Sequence, residues 1–196
     1  MDLNQLFENN NSWVFDKLNL DKNYFEKLSK GQSPQILYFG CSDSRIIPEV
    51  IMGMEPGDVF VHRNISNIVS DSDLNSMSVL HFAIEQLKIN QIIVCGHYDC
   101  GGIKEVLQSS DHGYLNHWLK NVMDVFDSNK EELDTIHSEK EKQHRLAELN
   151  VLNQCMNIQN SEIIKKGSKE REIQIYGWIF DIYSGKLLDL NFSSNN

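Results

Sequence analysis

The chain has 196 residues, of which 28 are acidic and 18 are basic, so its formal net charge is −10. This length is typical of one domain, and the share of hydrophobic (40%) and charged (23%) residues excludes a wholly disordered chain. No apolar run approaches the ~18–20 residues that a membrane-spanning helix requires. An acidic chain without clustered lysines and arginines is also unsuited to nucleic acid. We therefore expect one globular domain with neither a membrane nor a nucleic-acid partner.

The N-terminus predicts a cytoplasmic location. Asp2 and Glu8 precede the first basic residue, Lys17, and no compact apolar segment follows, which is not typical of a secretory signal. In the cytoplasm thiols stay reduced, and they are then packed, catalytic or bound to metal. The cysteines in question are Cys41, Cys95, Cys100 and Cys155.

Residues 1–33 are predicted to form a polar helical arm, followed by a single α/β catalytic domain over residues 34–192. Gly31 and Pro34 end the arm. Such an arm has no core of its own, so we expect it to lie on the body or on a partner subunit. Its apolar stripe consists of Trp13, Phe15, Leu18, Leu20, Tyr24, Phe25 and Leu28.

The body predicts a mostly parallel central β-sheet flanked by helices. Short apolar runs at 36–39, 59–61 and 92–95 indicate strands, and helical spacing over 74–88 separates the last two. Strands alternating with helices are typical of right-handed βαβ units. Further helices are predicted around residues 115–126 and 146–156, and the charged stretch 127–144 between them is predicted to be a solvated loop or helix surface. A hairpin-like pair of strands is predicted at 173–180 and 186–190.

Two short motifs follow predicted parallel strands. Cys41-Ser-Asp-Ser-Arg45 comes after the first strand, and His97-Tyr-Asp-Cys100 comes after the third. Because the carboxyl ends of parallel strands share one edge, we expect Cys41, His97 and Cys100 to meet there. Two thiolates and one imidazole suit a catalytic zinc with an open fourth position. The glycines at 101 and 102 would let the backbone approach such a site closely.

Asp43 and Arg45 form the second part of the expected site. A carboxylate paired with a guanidinium stays ionised and keeps a fixed orientation. Asp43 would either accept a hydrogen bond from water at the metal or bind the metal itself as a fourth ligand. The two roles exclude each other, so the pair is a candidate switch.

Other polar residues near these motifs have plainer interpretations. Cys95, inside a strand, and Cys155, on a helix, are expected to pack as small hydrophobic side chains. Ser42 and Ser44 lack a nucleophile elbow, and we expect them to bond the turn and the ligating sulfurs.

The two motifs together resemble the β-class carbonic anhydrases. The resemblance extends through Gly57–Asn64, Glu148–Val151 and Tyr176–Trp178, and covers roughly residues 36–190. It implies one Zn²⁺ per chain held by Cys41, His97 and Cys100, with Asp43 and Arg45 as the catalytic dyad and Gly101 and Gly102 lining the substrate pocket. The implied reaction is the reversible hydration of carbon dioxide to bicarbonate and a proton by zinc-bound hydroxide. The implied assembly is a homodimer or a homotetramer, with the arm laid over the neighbouring subunit.

Part of that family is inhibited by bicarbonate in a pocket built from a Trp, an Arg and a Tyr. The matching positions here are Tyr38, Arg63 and Phe180. The Arg is kept, but the Trp is replaced by Tyr and the Tyr by Phe, which argues against bicarbonate inhibition through this pocket. A closed form in which Asp43 binds zinc needs only Asp43 to move, and it stays open as an alternative.

Three other functions remain as alternatives. The same scaffold supports hydrolysis of carbonyl sulfide or carbon disulfide, which the zinc motifs alone do not distinguish from carbon dioxide hydration. A metal-free hydrolase would use Cys41 as nucleophile and His97 as base, leaving Cys100 and Arg45 without a role. A non-catalytic zinc scaffold would keep Asp43 permanently on the metal.

Overall fold

The computed structural model describes residues 2–108, 111 and 113–192, and it divides the chain into two compact units, Met1–Ser33 and Pro34–Asn196. The first unit contains α1 (Leu3–Leu20) and α2 (Tyr24–Ser29). The Asp2 carboxylate accepts a hydrogen bond from the Asn4 amide and caps α1, as an N-cap residue commonly does. Trp13 meets the Phe25 ring edge-on, with 5.3 Å between the centroids, and no residue of α1 or α2 is buried.

The second unit is built on a sheet whose described strands follow the order β2-β1-β3-β4-β5. Neighbouring strands are parallel from β2 through β4, and β5 runs antiparallel to β4. A mostly parallel sheet with a terminal hairpin is therefore confirmed. The strands are β1 (Ile36–Cys41), β2 (Val59–Asn64), β3 (Gln91–His97), β4 (Gln174–Asp181) and β5 (Lys186–Asp189).

Helices cover the sheet and enclose the larger core. β1 and β3 are buried over almost their whole length, which is why they are near-continuous apolar runs rather than alternating ones. The long helix α8 packs against β3 and β4. The helices of this unit are α3 (Pro48–Met52), α4 (Leu74–His81), α5 (Gly101–Gln108), α6 (Leu115–Ser128), α7 (Lys130–Asp134), α8 (Glu139–Asn160) and α9 (Glu162–Gly167).

The structure refines two of the predicted elements. The helix expected over 74–88 is α4 followed by a π-helical turn, Phe82–Gln86, where Arg171 donates a hydrogen bond to the Ile84 carbonyl at 2.6 Å. The charged stretch 127–144 is largely helical, because it contains α7 and the first turns of α8. Of the two expectations for this stretch, a solvated loop or a helix surface, the structure therefore favours the second.

A smaller apolar cluster lies apart from the main core. It contains Tyr38, Ile46, Ile93, Cys95 and Phe180. Cys95 therefore packs as a small hydrophobic side chain, and Cys155, fully buried on α8, does the same in the main core. Among the described helices, none is both long and apolar enough to cross a membrane.

Candidate metal centre

The register of the sheet brings the two motifs together. Gly40 of β1 pairs with Cys95 of β3, so the residues that follow each of them leave the sheet at the same edge. Cys41 ends β1, His97 ends β3, and Cys100 immediately precedes α5. One ligand atom from each of the three lies within 4.8 Å of the others, and all three side chains are buried. The structure thus forms the Cys–His–Cys cluster expected from the sequence.

The imidazole of His97 is oriented for a ligand. Its Nδ1 lies 2.8 Å from the Tyr98 carbonyl oxygen, which can only accept, so Nδ1 carries the proton and Nε2 keeps its lone pair. Nε2 is buried and has no hydrogen-bond partner among the described residues. A buried acceptor without a partner is costly unless something binds it. This orphaned nitrogen fits a metal ion at the centre of the cluster.

The two thiols also favour a cation between them. Their sulfur atoms are 3.9 Å apart. A hydrogen bond from Cys100 holds the pKa of the Cys41 thiol well below its usual range, and the negative neighbour raises the pKa of Cys100. One thiolate therefore opposes formation of the second, a conflict that a bound Zn²⁺ would remove. The donor set of two sulfurs and one nitrogen matches that of catalytic zinc sites.

Asp43 faces this cluster while paired with Arg45. Arg45 Nε donates to Asp43 Oδ1 at 2.8 Å, and Arg45 Nη2 donates to Oδ2 at 2.6 Å. This pairing holds the pKa of the Asp43 carboxyl far below its usual range. Asp43 Oδ2 nevertheless lies 3.9 Å from His97 Nε2. The carboxylate is therefore ionised, oriented by Arg45, and beside the position that a metal would occupy.

Arg63 binds the backbone of the loop that carries Cys41 and Asp43. Its Nε donates to the Cys41 carbonyl and its Nη2 to the Asp43 carbonyl, both at 2.7 Å. Tyr38 and Phe180, the other members of the expected bicarbonate pocket, belong to the smaller apolar cluster. The geometry thus gives Arg63 a structural task. The expectation that bicarbonate does not inhibit through Tyr38, Arg63 and Phe180 stays a prediction.

The two glycines after Cys100 have different surroundings. A Cβ on Gly102 would lie 2.2 Å from the Ser66 hydroxyl oxygen, whereas a Cβ on Gly101 would meet no atom within 4 Å. Gly102 thus lets α5 approach a short 3₁₀ turn, Ile65–Asn67, whereas Gly101 faces open space. Their part in a substrate pocket stays a prediction.

Sequence reasoning missed the residues that support Cys100. The hydroxyl beside its sulfur belongs to Ser66, with Oγ 3.8 Å from Sγ, rather than to Ser42 or Ser44. Ser66 has a positive φ of 65°, which is uncommon for a residue other than glycine. Asn150 of α8 donates to the Ser66 carbonyl at 2.9 Å and holds this conformation. No motif marks Ser66, because its proximity to Cys100 arises only when the turn Ile65–Asn67 packs against β3 and α5.

Comparison with known proteins agrees with this geometry. The carbonic anhydrase family model matches residues 36–187. A carbonic anhydrase of Emericella nidulans is 45% identical over 188 residues, covering 95% of this chain and 82% of that protein. A tetrameric β-carbonic anhydrase of Sordaria macrospora superposes with a TM-score of 0.93 at 40% identity, covering 96% of each chain. A Coccomyxa β-carbonic anhydrase in complex with acetazolamide gives the same TM-score at 36% identity, covering 96% of this chain and 86% of that one. With its Cys–His–Cys cluster and its parallel sheet, the chain therefore belongs to the β-carbonic anhydrase family.

Proposed function

We propose that the chain catalyses the reversible hydration of carbon dioxide to bicarbonate and a proton, with one Zn²⁺ held by Cys41, His97 and Cys100. The observation that carries this proposal is the buried His97 Nε2, which lacks a partner among the described residues and lies beside two thiol sulfurs and the Asp43 carboxylate. The naming of the relatives as carbonic anhydrases supports the same reaction.

Zinc bound at these residues would lower the pKa of water and so supply a nucleophile near neutral pH. The residues of this chain complete the site. Asp43, kept ionised and fixed by Arg45, would accept a hydrogen bond from the hydroxide nucleophile and so direct its lone pair towards the substrate carbon. Arg45 Nη2 also lies 3.4 Å from the Asp99 carbonyl oxygen, which ties the dyad to the segment between His97 and Cys100.

The proposed resting state is the open one, in which Asp43 binds Arg45. To become a fourth zinc ligand, Asp43 would have to give up its bonds to the Arg45 guanidinium.

Nothing in the geometry favours carbonyl sulfide or carbon disulfide as substrate over carbon dioxide. We also propose that the chain works in the cytoplasm with reduced cysteines, and that it self-associates as a dimer or a tetramer, as the Sordaria relative does as a tetramer.

Stopped-flow carbon dioxide hydration as a function of pH, on protein of known zinc content, tests this function. We expect about one zinc per chain and activity that rises above neutral pH, because two thiolates leave the metal less positive than three imidazoles would. Since the pKa of Asp43 lies far below this range, Asp43 stays ionised throughout, and the rise in activity reports the ionisation of the water.

Two variants and a chelator sharpen the test. Cys41→Ser should lose both zinc and activity, whereas Asp43→Asn should keep zinc and lose activity, because only the carboxylate is removed. Activity that survives chelation would instead support a metal-free Cys–His hydrolase. Zinc-loaded protein that is inactive even at alkaline pH would refute the proposed function.

A further inference from the structure

We propose that Glu148 and Tyr98 are positioning residues that hold the imidazole of His97 in its metal-binding orientation. This inference rests on the proposed zinc site and extends it to a hydrogen-bonded chain reaching from His97 to α7. The sequence motifs mark Tyr98 only as the residue between a ligand and Asp99, and they leave Glu148 without a role.

Tyr98 is held at three points. Its carbonyl oxygen accepts the hydrogen bond from His97 Nδ1 at 2.8 Å, and its amide donates to the Phe180 carbonyl at 3.2 Å. Its hydroxyl, on the far side of the ring, donates to Glu148 Oε1 at 2.8 Å. The atom that selects the His97 tautomer therefore belongs to a residue whose side chain is anchored on α8.

The Glu148 carboxylate, which anchors the Tyr98 hydroxyl, is itself held by an ion pair with Arg145. Arg145 Nη1 donates to Glu148 Oε2 at 2.9 Å, and Arg145 Nε donates to Glu132 Oε1 at 2.5 Å. The Glu148 side chain is 21% exposed, so its bonds are partly shielded from water. Hydrogen bonds to ionised groups are about twice as strong as neutral ones. Arg145 thus fixes one oxygen of the Glu148 carboxylate, and the other oxygen accepts the hydrogen bond from the Tyr98 hydroxyl.

The ring of Tyr98 is also held by stacking. The imidazole of His144 lies parallel to it, with 3.9 Å between the centroids and 11° between the planes. His144 and Glu148 are four residues apart on α8, so one face of this helix supplies both the stacking partner and the hydrogen-bond acceptor. With ring and hydroxyl both held, the Tyr98 backbone has little freedom to tilt away from His97.

The consequence for the metal follows from ligand geometry. Residues that hydrogen-bond a metal-ligating histidine fix its tautomer and ring orientation, and their loss typically costs about 10–100-fold in metal affinity or activity. Here the direct bond is made by a backbone carbonyl, which mutation cannot remove. The side chain of Tyr98 and its acceptor Glu148 are the parts of this support that a substitution can release.

The experiment uses the full chain loaded with zinc and compares Tyr98→Phe, Glu148→Gln and a matched control. Tyr98→Phe deletes only the hydroxyl, and Glu148→Gln keeps an acceptor oxygen while removing the charge that Arg145 braces. The control is Tyr176→Phe, which deletes a hydroxyl that donates to Gln174 Oε1 at 2.7 Å, away from the metal cluster. The measurements are the rate of zinc transfer to a chromogenic chelator and the visible spectrum of the Co²⁺-substituted protein.

We expect zinc release about tenfold faster in Tyr98→Phe, a smaller acceleration in Glu148→Gln, and a rate within about twofold of the unmodified chain in Tyr176→Phe. The ligand-field bands of Co²⁺ should shift in Tyr98→Phe and not in the control. A Tyr98→Phe chain that is less heat-stable but has an unchanged release rate and Co²⁺ spectrum would overturn the inference, because its role would then be structural alone.

The failure of this inference is distinguishable from failure of the proposed function. If the unmodified chain holds no zinc, the proposed function fails. If it holds zinc and both variants release it at the control rate, only the positioning role fails. Should Tyr98→Phe not fold, Glu148→Gln decides: faster release supports the inference, and release at the control rate overturns it.

Discussion

At the scale of single residues, Arg63 shows how one side chain can support a site without entering it. Its two hydrogen bonds join β2 to the carbonyls of Cys41 and Asp43, a metal-ligand candidate and a dyad member. A guanidinium can hold two acceptors in a fixed geometry, whereas an ammonium acts as a single point charge. Arg63 therefore ties down the loop by its shape as well as by its charge.

We predict that Arg63→Lys destabilises the protein by about 1.5–3 kcal/mol, the usual value of a hydrogen bond to a charged group, because lysine cannot reproduce the fork. Urea unfolding of the zinc-loaded protein measures this change, with Lys88→Arg as a control at an exposed lysine. Bicarbonate inhibition measured on the same samples checks the other possible role. If Arg63→Lys were as stable as the unmodified chain but had lost bicarbonate inhibition, Arg63 would be an anion ligand instead.

At the scale of elements, the packing of α5 against the turn Ile65–Asn67 supports the cluster at Cys100. The Trp118 indole of α6 donates to the Ile65 carbonyl at 2.8 Å, and Asn150 of α8 holds the Ser66 carbonyl. Gly102 sits where α5 touches this turn. Two helices and a helix terminus therefore fix a turn whose backbone is unfavourable in isolation.

We predict that Gly102→Ala destabilises the protein by about 1–3 kcal/mol, because the added methyl group overlaps the Ser66 hydroxyl and forces that hydroxyl, the turn or α5 to move. Gly101→Ala is the matched control on the same helix, since its added Cβ meets no atom within 4 Å. Thermal unfolding of both variants is the measurement. Equal melting temperatures for the two would show that the contact is not tight.

At the scale of the whole molecule, the helical arm exposes several large apolar side chains. Leu3, Phe7, Phe15 and Leu20 are between 66% and 85% exposed. Exposed large apolar side chains gathered on one short segment make that segment a candidate interaction site. The sequence resemblance implies a neighbouring subunit as the partner of the arm, and the Sordaria relative is itself tetrameric.

We predict that the 22.6 kDa chain forms dimers or tetramers, and that replacing Phe7 and Phe15 together by serine shifts the assembly towards smaller species. The reason is that removal of two large apolar side chains lowers the hydrophobic gain of association. Size-exclusion chromatography with light scattering measures the mass. Leu74→Ser, at an 81% exposed leucine of the body, is the control that should leave the mass unchanged. An unchanged mass of the assembly in the double variant would show that the arm does not contribute to the subunit interface.

The sequence by itself determined the class of the fold and the cluster of ligand candidates. Local runs such as those in β1 and β3 reveal strands, because burial on both faces demands continuous apolar residues. Because Cys41 and His97 end such strands, their meeting follows from the common edge of parallel strands. These inferences need only local periodicity and one topological rule.

Only the tertiary structure decided which side chains support the cluster. Ser66 lies beside the Cys100 sulfur, and Glu148 receives the Tyr98 hydroxyl, across separations of 34 and 50 residues along the chain. Such pairs depend on the rotation of α8 and on the positive φ of a turn, which no local pattern encodes. Arg63 was likewise recognised in the sequence, but the two carbonyls that it holds became visible only when β2 was placed beside β1. Hydrogen bonds between distant elements are set by packing, and packing is a property of the folded chain.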